Sequence, residues 1–336
     1  MGSFAQYPSD SRSLNRALSF VERSSSVGGS SRRPYFVAPR TEATELANLI
    51  SSDDIPIFGD DNRDGLSPLD ALLTLQEAID RCKNDVGDRI CVMRGTHSLT
   101  TPVLFNKRGI IVESVDMGFG DAIGERWMLY GPNDAPAAII TKACKIRGLG
   151  FSGQWTGAAS HNLQVDAAGG GFEGGFFSIK RCEFTTWGAS PDYGILLKGA
   201  TAAEISDNII SGGFDTYNVG GIGISTDTSG GVQVSSCLFE NNRFITMGQN
   251  KYAFVHLAGK IPHNNIIKGN ILVGNNTDDA GWKGIGKFLD NNGCANKGTL
   301  VCDNWIGLAT DATSYDDTVV ALTALGIRFA GNHYAE

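Results

Sequence analysis

Hydrophobic residues recur along this chain in two columns placed about a polar bend. The stretch AEISDNIISGG, Ala203 to Gly213, sets Ala203, Ile205 and Ile210 around a polar centre, Ser206-Asp207-Asn208. With Asn208 as position zero, comparable windows centre on Leu149, Cys182, Asn242, Asn270, Asn304 and Asn332. Three residues before the centre stand Ile146, Ile179, Ile205, Phe239, Ile267, Val301 and Phe329; two after it stand Phe151, Phe184, Ile210, Phe244, Leu272, Ile306 and Tyr334. Immediately before the centre the residue is polar or glycine: Gly148, Arg181, Asp207, Asn241, Gly269, Asp303 and Gly331. The column five before is mixed, from Cys144, Phe177 and Ala203 to Cys237, Asn265, Thr299 and Ile327.

The centres are 33, 26, 34, 28, 34 and 28 residues apart, which makes each unit one turn of a solenoid with inserted loops of varying length. Period-2 alternation points the strict columns inward from two successive strands, with the polar residue at the bend between them. Units of this kind bury their inner faces only by stacking, and the pattern describes a parallel β-helix. Asparagine at the bend tolerates left-handed backbone angles, and its amide can bond the equivalent amide one coil away. Asn208, Asn242, Asn270, Asn304 and Asn332 are therefore expected to form a structural ladder.

One segment follows the helical period instead. In SPLDALLTLQEAIDRCKN, Ser67 is an N-cap, Pro68 occupies the first helical position, Asp70 completes a capping box, and Leu72, Leu75, Ile79 and Cys82 make one apolar stripe. The spacing predicts a helix over about 68–83, lying as a cap on the first coil.

Composition agrees with a turn-rich β protein: 43 glycines against 10 prolines, with 19% charged residues in 336. The net charge of −8 divides unevenly. Residues 1–40 are net +4, from Arg12, Arg16, Arg23, Arg32, Arg33 and Arg40 against Asp10 and Glu22, which leaves −12 on the remainder. Residues 1–56 read as a basic Ser/Arg-rich arm, either a solvated tail or an anchor on a protein partner, and the short stretch TEATELANLI within it can form a helix. Nucleic acid is not expected as its partner. No apolar run is long enough to span a membrane, and none is placed as a secretory leader. The seven cysteines show no metal-ligand spacing and read as free thiols packed as small hydrophobes.

The segment FGDDNRDGLSPLDALLTLQEAIDRCKNDVGDRICVMRGTHSLTTPVLF, together with the later Asn-x-Ile and Asn-x-Phe bends, resembles right-handed β-helix proteins of the pectate-lyase-like and bacteriophage tailspike type. The resemblance implies an all-β, single-stranded, right-handed parallel β-helix over residues 57–336 with an N-terminal capping α-helix, preceded by an extended N-terminal arm. It further implies a phage virion protein, a capsid decoration or short spike subunit displayed on the virion surface after assembly in the host cytoplasm. Its partners would be other virion proteins and two copies of itself in a homotrimer. The alternatives are a tailspike-like polysaccharide depolymerase and a noncatalytic glycan-binding adhesin acting on host surface polysaccharide.

Activity is less legible. The arginine-and-calcium pattern of pectate lyases is missing, as are the later motifs of polygalacturonases, and no cofactor or metal is expected. Hydrolysis of a glycan needs two carboxylates about 5–9.5 Å apart, and coils about 4.8 Å apart supply such spacing. Glu183 and Asp207, from near-equivalent columns, and Asp192 and Asp215, from inserted loops, are the weak candidates. Trp155, Trp187, Tyr193 and Tyr217 are candidates for stacking on sugar rings.

Overall fold

The computed structural model describes residues 34–39, 59–93, 95–114, 128–132, 134–153, 161–166, 176–186, 193–211, 220–225, 234–247, 252–256, 264–274, 287–290, 298–307 and 328–335. Their strands fall mainly into three parallel sheets that the chain visits in rotation. Glu204–Ser206 lies in the first (sheet I), Ile209–Ser211 in the second (sheet II) and Gly220–Ser225 in the third (sheet III), and the chain returns to sheet I at Leu238–Glu240. Such rotation is the topology of a parallel β-solenoid.

The sequence columns are the registers of these sheets. In sheet I, Ile90, Val112, Ile146, Ile179, Ile205, Phe239, Ile267, Val301 and Phe329 are successive cross-strand partners. In sheet II the same holds for Phe151, Phe184, Ile210, Phe244, Leu272, Ile306 and Tyr334. From Ile90 to Val301 and from Phe151 to Leu272 these side chains lie in one continuous buried core, each worth about 1.5–3 kcal/mol relative to exposure. Sheet III closes the interior with Leu163, Val165, Ile195, Leu197, Ile222 and Phe254. Phe151 stacks on Phe184 with ring centroids 5.2 Å apart, and Phe254 meets Phe239 and Phe244 edge-on.

The bend between sheets I and II departs from expectation in one respect. The left-handed residue is not the asparagine but the one before it: Gly148, Arg181, Asp207, Asn241, Gly269, Asp303 and Gly331 all have φ between 54° and 66°. That single left-handed residue reverses the side-chain direction, so the next residue, Leu149, Cys182 or an asparagine, points inward; all are buried except Asn332, which is half-buried. A second left-handed corner, from sheet III back to sheet I, falls at Gly109, Phe176, Ala202, Ser236, Asn264 and Gly298, and Gly87 takes the same place between the helix and the first coil. These residues share no chemistry, which is why no polar column announced the corner.

The expected helix over 68–83 is two elements. Pro68–Asp70 is a 3-10 turn with Ser67 accepting from the Asp70 amide, and the α-helix is Leu75–Arg81 with Thr74 as its N-cap. Between them the backbone is extended because it is used by a strand: Leu72 N–H donates to Phe36 O at 2.8 Å and Ala38 N–H to Leu72 O at 2.9 Å. Asp61 Oδ1 fixes the break, accepting from the amides of Leu73 and Thr74, both at 2.9 Å. Leu72, Leu75, Ile79 and Cys82 are nonetheless all buried in the solenoid core. The apolar stripe was sound; the backbone carrying it is not one helix.

Tyr35–Val37, inside the segment read as an arm, is a strand of sheet I, pairing Tyr35 with Ile90, Phe36 with Cys91 and Val37 with Val92. Its outer side forms a second small core in which Phe36, Ala38, Ala71, Cys91 and Met93 are buried together.

Candidate functional site

The asparagine ladder is continuous. Asn208 Nδ2 donates to Asn242 Oδ1 at 2.9 Å, Asn242 Nδ2 to Asn270 Oδ1 at 3.0 Å, Asn270 Nδ2 to Asn304 Oδ1 at 3.0 Å and Asn304 Nδ2 to Asn332 Oδ1 at 2.9 Å. Each of these Oδ1 atoms also accepts from the backbone amide of the preceding asparagine, and each Nδ2 reaches a sheet I carbonyl one coil back, such as Asn242 to Ile205 O. With its hydrogen bonds spent on neighbours, the ladder is a structural spine. It begins one coil earlier than the asparagines do, at the Cys182 amide, which donates to Asn208 Oδ1. A shorter relative stands at the other corner, where Asn265 Oδ1 accepts from the Cys237 amide and Asn265 Nδ2 donates to Val234 O.

Of the candidate carboxylates, Glu183 and Asp207 are described. Glu183 opens a sheet II strand on its outer side and is buried; its cross-strand partners are Gly150 and Ile209. Asp207 is the left-handed corner residue of the following coil, where it accepts from Asn241 Nδ2 at 3.4 Å. The residue in the column of Asp207 one coil earlier is Arg181, so the two carboxylates do not stack as a pair. Asp192 and Asp215, the aromatics Trp155, Trp187 and Tyr217, and the arm residues Arg12, Arg16, Arg23, Arg32, Arg33 and Arg40 lie outside the described residues, as does the stretch TEATELANLI.

Tyr193 is buried at the head of a sheet III strand, and its neighbourhood is the most organised polar surface the described residues present away from the ladder. Leu163 and Val165 face the core, which turns Gln164 and Asp166 outward. His161 Nε2 lies 2.7 Å from Gln164 Oε1, and Gln164 Nε2 donates to Asp166 Oδ2 at 2.9 Å. Since Gln164 accepts through Oε1, His161 donates through Nε2 and keeps Nδ1 as its basic nitrogen. On the next coil Tyr193 is the partner of His161, and Lys198 that of Asp166. Burial, assisted by the positive charge of Lys198, lowers the His161 pKa to about 4. The imidazole is thus neutral at pH 7 and a weak base, better suited to orienting a hydroxyl than to taking its proton. Polar residues alternating with Leu163 and Val165 are the sequence signal for this row, which lies outside the two repeating columns of sheets I and II.

Six cysteines are described, all buried and none in a disulfide. Burial pushes the thiols of Cys82, Cys144 and Cys182 up to about 12 and that of Cys237 to about 11, so they pack and do not react. Among the described residues no cluster of three His, Cys, Asp or Glu side chains can hold a metal ion. No family model, curated protein or solved structure matches the chain.

Proposed function

We propose that this protein is a structural subunit of a phage virion, a right-handed β-solenoid held to the capsid or tail by the basic segment that precedes Tyr35. The observation behind this reading is the strand Tyr35–Val37. It pairs in register with Arg89–Val92, and it is buried on both sides, Val37 in the main core and Phe36 in the outer one. A load applied to residues 1–33 would be passed directly into the hydrogen-bonded end of sheet I. The charge asymmetry is compatible with the same assignment, because the +4 of residues 1–40 draws that segment to acidic protein surfaces, those of a neighbouring subunit as well as its own body. The subunit would sit on the virion surface as a homotrimer packed along its flanks, after assembly in the host cytoplasm.

Deleting residues 1–33 while retaining Tyr35–Val37 tests the reading. The shortened protein should keep its thermal unfolding midpoint and no longer co-sediment with particles stripped of the native subunit. Undiminished co-sedimentation would overturn it. A glycan-binding role is the second reading, favoured by the row His161, Gln164 and Asp166 beside Tyr193. Titration of host surface polysaccharide against the wild type and Gln164→Ala distinguishes it, with weaker binding by the variant expected.

A further inference from the structure

The outer face of sheet I carries a block of polar side chains that coil stacking leaves unmatched. Ile146, Ile179 and Ile205 point into the core, so the residues flanking each point outward. Register places Ser178 between Lys145 and Glu204, and Lys180 between Arg147 and Ser206. Coils about 4.8 Å apart and a two-residue step of about 6.6 Å put the Cα atoms of Lys145, Arg147, Ser178 and Lys180 within about 8 Å of one another.

Arg147 and Lys180 are direct cross-strand partners, an arrangement that destabilises a sheet unless something offsets it. Lys180 has a carboxylate, Glu204 Oε1 at 2.5 Å. The other neighbour of Arg147 is Glu113, which is engaged by Arg89 at 2.9 Å. Arg147 Nε is buried with no hydrogen-bond partner. So are the hydroxyls of Ser178 and Ser206, on residues 8% and 2% exposed. Lys145, Arg147, Lys180 and Glu204 together carry +2 on a body that is otherwise strongly acidic. Unmatched donors in a local excess of positive charge require an acceptor with several oxygens and negative charge.

We propose that this face of sheet I, between the coils of Lys145–Arg147 and Ser178–Lys180, binds one tetrahedral oxyanion, a phosphate or sulfate group. Arg147 and the Ser178 hydroxyl donate to it from below, and the lysines close over it. The −12 charge outside the arm repels an extended polyanion while leaving a single anionic group free to enter. The site does not depend on how the protein is anchored.

Calorimetric titration of the full chain with inorganic phosphate, then sulfate, against chloride at matched ionic strength tests it. Saturable one-site binding is expected, weakened about tenfold or more in Arg147→Gln and in Ser178→Ala. Lys145→Gln, at an exposed position, should also weaken it and serves if the buried variants unfold. Arg243→Gln, on an exposed residue of sheet II, should bind as the wild type does. A sugar phosphate binding more tightly than the free ion would assign the group to a glycan, and equal affinity would assign it to the free ion. No saturation up to tens of millimolar phosphate, or equal affinity in Arg147→Gln and Lys145→Gln, would overturn the site.

Discussion

The chain passes from sheet I to sheet II and from sheet II to sheet III by opposite means. Asp207 and Asn208 alone separate Glu204–Ser206 from Ile209–Ser211, whereas residues 212–219 separate Ile209–Ser211 from Gly220–Ser225. A corner closed in two residues leaves the backbone little freedom, so the seven coils that close it so are alike: one left-handed residue, then one inward side chain, which in five of them is an asparagine that bonds the buried backbone around it. A longer passage can be solved differently in each coil. The tight corner therefore carries the ladder, and the chemistry unique to this protein lies on faces where the repeat imposes nothing.

The sharpest break of that comparison is a ladder deletion. Asn242→Ala removes the acceptor of both the Asn208 amide and the Asn208 side chain, and the donor to Ile205 O. Leaving these buried groups unmatched should cost about 3 kcal/mol or more in urea unfolding. Asn162→Ala, on sheet III, loses the bond from Nδ2 to Thr185 O at 2.8 Å and should cost about 1–2 kcal/mol. Equal losses at the two positions would mean that the tight corner is not specially dependent on its side chain.

The first coil tests the corner from another side, because there it is not closed by two residues. Met93 to Gly95 separate Arg89–Val92 from Thr96–Ser98, and His97 occupies the inward column, as the partner of Leu129. Its Nε2 lies 3.3 Å from Met93 O, within its own coil, whereas each asparagine amide reaches the coil before. Burial lowers its pKa from 6.5 to about 4. Between those values the unfolded chain takes up a proton that the folded one refuses, so stability is full above about pH 6.5 and falls as the pH drops toward 4. The loss attributable to this residue is about 3 kcal/mol across the window. His97→Leu, matching the Leu129 below it, should flatten the slope of unfolding free energy against pH in that range. An unchanged slope would place the acid sensitivity elsewhere.

How much could be read in advance follows the same division. The registers of sheets I and II were written in the strict columns, because identical geometry selects the same residue class at Ile205, Phe239 and Ile267. The helix was misjudged because an apolar stripe reports burial without reporting which backbone delivers it; Leu72 is buried through a strand bridge. The pairing of Phe36 with Cys91 was hidden in a Ser/Arg-rich stretch too short to show any period. Glu183 and Asp207 were drawn together by sequence spacing, yet spacing cannot distinguish an outward strand position from a corner. The row from His161 to Asp166 and the block around Ser178 depend on contacts between coils, which only the register defines.

A smaller loss is expected from Gly269→Ala. At φ 63° an added Cβ would meet Asn241 Oδ1 at 2.5 Å, so the substitution strains the backbone and displaces a neighbour. A cost of about 1–2 kcal/mol is expected by urea unfolding. An alanine tolerated without loss would mean that the left-handed position can relax, and with it the argument that two residues dictate the corner.

The smallest effect should run in the opposite direction. Arg181 occupies the same left-handed column at φ 54°, and its side chain is exposed. A residue with a Cβ pays there for an angle that glycine adopts freely, but glycine also loses more conformational freedom on folding. The two terms oppose each other, and relief of the backbone strain should prevail by a few tenths to about 1 kcal/mol. Arg181→Gly should therefore raise the thermal midpoint slightly, while Lys198→Gly, in a sheet III strand, should lower it because a strand gains nothing from left-handed freedom and loses packing. If both substitutions destabilise equally, the corner tolerates side chains without strain, and its recurring glycine, aspartate and asparagine must be explained by hydrogen bonding between coils, as at Asn241 and Asp207.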